Sequence, residues 1–175
     1  MIVKLHDIED DESITVRGAM DGSRYKRPED ADLTFESPVE YELTVSKIGS
    51  DVRVEGPVKC TMKLVCDRCL EAFVLPVSAH LDIELAPKGD QPKLPEVELT
   101  GEEMNLYYFE GDELELEPYV YEEVMLAIPI KALCDEACKG ICPVCGKNQN
   151  TEVCKCAASK GTALGEKLQA LLKDR

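Results

Sequence analysis

Six cysteines fall within the 23 residues from Cys134 to Cys156, in the run Cys134-x3-Cys138-x3-Cys142-x2-Cys145-x8-Cys154-x-Cys156. Thiolate sulfur is a soft donor, and tetrahedral Zn²⁺ takes four such donors at about 2.3 Å, which a Cys-x-x-Cys turn supplies two at a time. The leading knuckle is Cys142-Pro143-Val144-Cys145-Gly146. Its proline stiffens the turn, and its glycine permits the positive φ that lets backbone N–H groups point at sulfur. Four ligands close one structural site. The expectation is therefore one Zn²⁺ held by four of Cys134, Cys138, Cys142, Cys145, Cys154 and Cys156, with Cys142 and Cys145 as its core pair. Two thiols are then surplus, left to a second metal, a disulfide or a buried free pair.

A second Cys-x-x-Cys, Cys66-Asp67-Arg68-Cys69, lies well upstream. Two thiolates cannot close a zinc site. This pair either borrows Cys142 and Cys145 across space, uses local donors, or stands as a dithiol. Redox pairs of this spacing are activated at a helix N-terminus in a βαβ setting, whereas this one sits between two strand signals. Arg68 offers a planar donor fork to a phosphate or carboxylate on a partner; the alternative is a solvated turn residue. Cys60, at strand spacing, reads as a buried apolar side chain, and neither His6 nor His80 has a chemical neighbour in sequence. No phosphate-binding loop, dinucleotide fingerprint, H-E-x-x-H or G-x-S-x-G occurs, and no pair of acids stands out as general acid and base, so the chain reads as non-enzymatic.

The elements that must hold these thiols are mostly strands. Val39–Val45 alternates apolar and polar residues, and Val52–Val58 follows a Gly49-Ser50-Asp51 turn. Cys60–Val65 runs up to Cys66, Glu71–Val77 leads away from Cys69, and His80–Leu85 continues it, so the upstream pair tips the central hairpin of an antiparallel meander. Pro87 to Pro95 carries three prolines and a glycine and reads as a surface loop. A short strand is expected at Leu106–Phe109, then a helix near 117–128 with Val120, Tyr121, Val124, Met125, Ala127 and Ile128 on one face. Pro118 suits an early helical position and Pro129 ends the helix. Leu164, Leu168, Leu171 and Leu172 mark a short amphipathic tail helix. The fold class is thus α+β: an antiparallel, barrel-like β body over residues 1–130, with one or two helices, and a zinc-knuckle segment with its tail over 131–175.

Charge narrows the function. The formal net charge is −15, and it is uneven: residues 131–175 hold 8 Lys+Arg against 5 Asp+Glu, a balance of +3, which leaves −18 on residues 1–130. From Asp82 to Glu123, 14 acids face only Lys88 and Lys93. Nucleic-acid affinity comes largely from cations neutralising phosphates, so tight RNA binding by the whole surface is disfavoured; the acidity reads either as a solvated, solubilising surface or as a face for a strongly basic partner. The first residues, Met1 to Asp7, turn acidic before any apolar stretch appears, and no run approaches the about 18 apolar residues of a membrane span. These features point to a reducing setting in which thiols bind metal instead of pairing as disulfides.

Cys66-Asp67-Arg68-Cys69-Leu70 on a hairpin, Leu126-Ala127-Ile128-Pro129-Ile130 after a helix, and the string Leu133 to Asn150 with its Cys-Pro-Val-Cys-Gly together resemble the YceD family. The resemblance covers roughly Val39 to Cys156. That family, long described as a domain of unknown function, comprises large ribosomal RNA subunit accumulation proteins of bacteria and plastids. Members with the late cysteines usually carry Asn-Leu-Asn after Cys-Gly, and here Gln149 replaces the leucine, weakening an apolar contact beneath the knuckle while leaving the ligands intact. The resemblance implies a non-enzymatic, cytoplasmic ribosome-biogenesis factor for large-subunit (23S) ribosomal RNA, with large-subunit assembly components, a basic ribosomal protein foremost, as partners. Two other classes remain: a thiol-based zinc or redox protein, and a zinc-ribbon nucleic-acid binder working through the +3 segment.

Overall fold

The computed structural model describes residues 2–28, 33–90 and 106–156. Its strands are β1 (Ile2–Lys4), β2 (Ser13–Met20), β3 (Thr34–Phe35), β4 (Val39–Ile48), β5 (Asp51–Val65), β6 (Ala72–Pro87), β7 (Leu106–Phe109) and β8 (Glu113–Glu115), and its one α-helix among the described residues is α1 (Glu117–Leu126). The architecture is α+β.

Alternation builds the main sheet. In β5, Val52, Val54, Val58, Cys60, Met62 and Leu64 are buried while Arg53, Pro57, Lys59 and Lys63 face water. A one-residue slip would turn every one of those apolar side chains outward, so the register is strongly specified. The buried face packs under α1, whose Val120, Tyr121 and Val124 point inward. Val3 of β1 and Leu114 of β8, paired opposite each other, join the same core.

The strands run β2-β4-β5-β6-β7, and β3 pairs β5 alongside β4. The expected barrel does not form: among the described residues β2 and β7 are the edges of an open sheet. One face is covered by the helix and the small β1–β8 ribbon, and the polar outer face needs no covering, so closure would bury nothing further. The expected antiparallel meander holds over β4, β5 and β6, and the short strand expected at Leu106–Phe109 adds to it in parallel, Glu84 opposite Leu106 through Pro87 opposite Phe109. Parallel neighbours need a connection of about a dozen residues or more, and residues 88–105 supply one.

Two further differences concern length. Val52–Val58 and Cys60–Val65, expected separately, form one strand of 15 residues, and Glu71–Val77 and His80–Leu85 merge into one of 16. Pro57 does not break its strand because the β4–β5 ladder skips it: pairing stops at Tyr41–Val58 and resumes at Thr44–Glu55. A proline has no N–H to give there. The strands β1 and β2 were not anticipated. The helix ends at Leu126, short of Pro129, with Pro118 in its first turn as expected. Pro87 closes β6 and Lys88–Asp90 forms a 3-10 turn; the rest of the Pro87 to Pro95 loop and the tail-helix leucines lie outside the described residues.

What matters for the cysteines is that β5 and β6 outrun the sheet. β4 leaves β5 at Lys59 and β3 touches only Met62 and Lys63, whereas β6 stays paired as far as Val65–Ala72. The hairpin therefore projects as a two-stranded arm with Cys66 to Glu71 at its tip.

Candidate metal centres

At the arm's tip the backbone N–H of Cys66 donates to Glu71 O at 2.9 Å, and that of Leu70 donates to Cys66 O at 2.9 Å. The later knuckle repeats this pattern residue for residue. Cys142 N donates to Lys147 O at 2.8 Å and Gly146 N to Cys142 O at 2.9 Å. Both turns close through a left-handed residue, Leu70 at φ +60 and Gly146 at φ +72. These are two copies of one Cys-x-x-Cys knuckle, each bringing its two thiols into one group.

The late segment lies along the arm. Asp67 N donates to Ala132 O and Ala132 N returns a bond to Asp67 Oδ2, at 2.9 and 2.7 Å. Ile141 N donates to Arg68 O at 3.0 Å. Gly140 sits so close to the arm that a Cβ there would stand 2.9 Å from Arg68 O. Arg68 Nη1 donates to the carbonyls of Glu136 and Cys138, at 3.0 and 2.9 Å. The guanidinium, expected either to serve a partner or to be solvated, reaches the late segment through Nη1.

The result is two groups of four thiols. Cys66, Cys69, Cys134 and Cys138 form the hairpin centre; Cys142, Cys145, Cys154 and Cys156 form the late centre, and within each group the sulfurs lie within 4.8 Å of one another. Sulfur separations of 3.9 Å (Cys66–Cys138), 3.6 Å (Cys69–Cys134), 3.6 Å (Cys145–Cys154) and 3.3 Å (Cys142–Cys154) bracket the about 3.8 Å edge of a tetrahedron with 2.3 Å metal–sulfur bonds. None is close enough for a disulfide, and all nine cysteines are free. Sequence reading drew one site from the six late cysteines and offered Cys142 and Cys145 to the hairpin pair. The geometry divides the six: Cys134 and Cys138 turn back to the hairpin, and the remaining four close on themselves. Spacing along the chain cannot reveal this, because the choice is made by the arm's length in space.

The electrostatics of each group ask for a cation. Burial pushes the Cys66 thiol up, but the N–H groups of Cys134, Cys69 and Arg68 outweigh it and carry it down to about 6. N–H groups of Cys145 and Val144 take Cys142 down to about 6. Desolvation and the neighbouring sulfurs push Cys134 up to about 12, and Cys154 and the other sulfurs push Cys156 to about 12. Four crowded thiols cannot all ionise without a positive charge between them. An all-sulfur tetrahedral donor set suits Zn²⁺, and the residues fit it.

The two centres differ in exposure. Cys66, Cys69 and Cys138 are buried with Phe73 and Leu133 against them, whereas in the late centre only Cys142 is. Cys60 is buried in the sheet away from both groups, as its spacing implied. His6, given no role, contacts Asp112 and Asp7, whose carboxylates raise its pKa.

Asn150 was missed by sequence reasoning. Its side-chain Nδ2 donates to Cys138 Sγ at 3.2 Å, and its Oδ1 accepts from Lys139 N at 2.8 Å. The signal was the pair of asparagines two apart just after the Cys-Gly, read only for the residue between them. Gln149, that residue, gives its N–H to Gly140 O at 2.8 Å.

The family model described as "Large ribosomal RNA subunit accumulation protein YceD" matches residues 54–172, a stretch that takes in the arm and all eight clustered thiols. The chain is 27% identical over 141 residues to a chloroplastic "Large ribosomal RNA subunit accumulation protein YCED homolog 1" of Arabidopsis thaliana, covering 69% of this chain and 44% of that protein. It is 24% identical over 143 residues to the Zea mays counterpart, covering 69% and 49%. An uncharacterized Mycobacterium leprae protein is 27% identical over 114 residues, covering 65% and 50%. The chain spans about half the length of the curated relatives it matches. No solved structure matches it significantly.

Proposed function

This chain belongs to the YceD family, and from that membership we propose that it is a non-catalytic factor for accumulation of large-subunit (23S) ribosomal RNA. It acts by holding a protein partner and carries two Zn²⁺ ions as structural centres. The observation that carries this reading is the family match, which spans both knuckles and every clustered thiol. The chemistry agrees with it. Eight thiols placed four and four at metal-ligand spacing are committed as ligands, which leaves them no role as nucleophiles.

The partner is a basic protein of the large subunit. An acidic surface attracts a lysine-rich chain and repels naked RNA. A zinc-ribbon nucleic-acid binder fares worse once the metal is counted, because four thiolates around one Zn²⁺ leave −2. Two such centres turn the formal −15 into −19, and the +3 of residues 131–175, taken with both centres, into −1. A thiol-based zinc or redox protein draws support from the exposure of Cys145 and Cys156. Thiol titration with and without Zn²⁺ separates it from the scaffold reading. Free cysteines and a metal-rich acidic protein suit a reducing compartment, the cytoplasm. Among the described residues no helix is long and apolar enough to cross a membrane.

The test is genetic. Cells lacking this chain are expected to show a lowered ratio of large- to small-subunit ribosomal RNA, restored by the wild-type chain and not by Cys66→Ser. An unchanged ratio in the deletion overturns the proposal.

A further inference from the structure

The two centres are neighbours along the chain and across space. Cys138 of the hairpin centre and Cys142 of the late centre flank Gly140, whose carbonyl accepts from Gln149 N, and Ile141 pairs with Asn148 as an isolated bridge. Residues 146–153 therefore form a loop that starts at one late-centre ligand, Cys145, passes the hairpin centre, and returns to the next, Cys154.

Asn150 is the loop residue that reaches across. Its amide orientation is fixed by its partners: Oδ1 accepts the Lys139 N–H, so the NH₂ must face the other way. Of the two NH₂ hydrogens, one goes to Cys138 Sγ at 3.2 Å and the other to Asn148 Oδ1 at 2.9 Å. Asn148 Oδ1 also takes the Asn150 backbone N–H at 2.9 Å, which clamps the side chain to its own loop. A donor aimed at a ligating sulfur stabilises its thiolate form and hence its bond to the metal. That donor is in place only when the loop is folded, and the loop's two ends, Cys145 and Cys154, both belong to the late centre, so an ion there adds to the backbone bonds that hold it.

We infer that Asn150 couples the two centres, so that filling the late centre with a thiolate-binding divalent cation raises the affinity of the hairpin centre for its own. The inference rests on both groups holding Zn²⁺. Coupling is reciprocal, so the hairpin centre strengthens the late one by the same factor.

Graded removal of Zn²⁺ from the full chain by a chelator tests this, followed centre by centre through the backbone amide resonances of Arg68 to Leu70 and Val144 to Gly146. Asn150→Ala, and separately Cys145→Ser with Cys154→Ser, are each expected to weaken the hairpin centre about tenfold, the lower end for partners beyond the ligands since Asn150 is exposed. Combining them should add nothing further. Asn150→Asp keeps the acceptor for Lys139 and replaces the donor with a negative oxygen, so it should weaken the hairpin centre more than Asn150→Ala. A residue that only shapes the loop would give the opposite order. Wild-type retention in Asn150→Ala, or effects that simply add, overturns the coupling alone; a wild-type chain that binds fewer than two ions overturns its premise.

Discussion

Leu70 holds a backbone angle that Gly146 holds at the matching place in the other knuckle, φ +60 against φ +72. An L-residue pays roughly 1–2 kcal/mol for that conformation, and glycine does not. Leu70 is 63% exposed, so its side chain offsets little of this by burial. Nothing lies within 4 Å of a Cβ built on Gly146, which leaves the backbone angle as the whole cost of adding one. Gly146→Ala should therefore lower the stability of the zinc-loaded chain by about 1 kcal/mol. Leu70→Gly should be neutral or stabilising, since relief of the angle opposes the entropy glycine adds to the unfolded chain. Thermal unfolding in excess Zn²⁺ reads both. Equal destabilisation by the two would mean that the knuckles are not equivalent.

At the scale of elements, the arm and the late segment are held by little besides the hairpin centre and a few backbone bonds. Its small apolar cluster is Cys66, Cys69 and Cys138 with Phe73 and Leu133, and three of those five belong to the candidate metal group itself. A segment with so little core depends on its metal for order. Cys134→Ser is expected to free residues 131–156 to limited proteolysis while the far-ultraviolet signal of the sheet persists. Cys60→Ser, within the sheet core, should instead lower the stability of the sheet and leave zinc content unchanged. Proteolytic resistance in Cys134→Ser would show that the Asp67–Ala132 and Arg68 bonds suffice alone. Much of this arrangement was legible beforehand. Alternation gave the arm, and the Cys-x-x-Cys turns gave both knuckles, because each is a local pattern. The parallel β7, the early strands β1 and β2, and the pairing of Cys134 and Cys138 with the hairpin were not, because each depends on what another part of the chain offers across space. Asn150 belongs to the same class: an asparagine after a knuckle reads as a turn former until its amide is seen against a distant sulfur.

For the molecule as a whole, charge is the governing quantity. With both thiol groups filled by Zn²⁺, the formal −15 becomes −19, and residues 131–175 taken with both centres carry −1. Association with a basic large-subunit protein should slow as salt rises, and Glu84→Gln with Glu113→Gln should act on the association rate more than on dissociation. Glu115 and Glu117 are poor choices for that test, since both accept from the Tyr25 hydroxyl, at 3.1 and 3.0 Å. Stopped-flow mixing at several ionic strengths decides it; tight, salt-steep binding to naked ribosomal RNA would reverse the assignment. The hairpin centre has a further consequence, in time. Its ligands lie 65 (Cys69–Cys134) and 72 (Cys66–Cys138) positions apart. At about 5–20 residues per second of synthesis the arm's two thiols wait roughly 3–14 s for the pair that completes them. Until then they form an open dithiol, on a sheet completed only once β7 has been made. A chain cut short before Cys134 lacks two of the hairpin centre's four thiols, so its Cys66 and Cys69 stay an open dithiol that no later residue can complete.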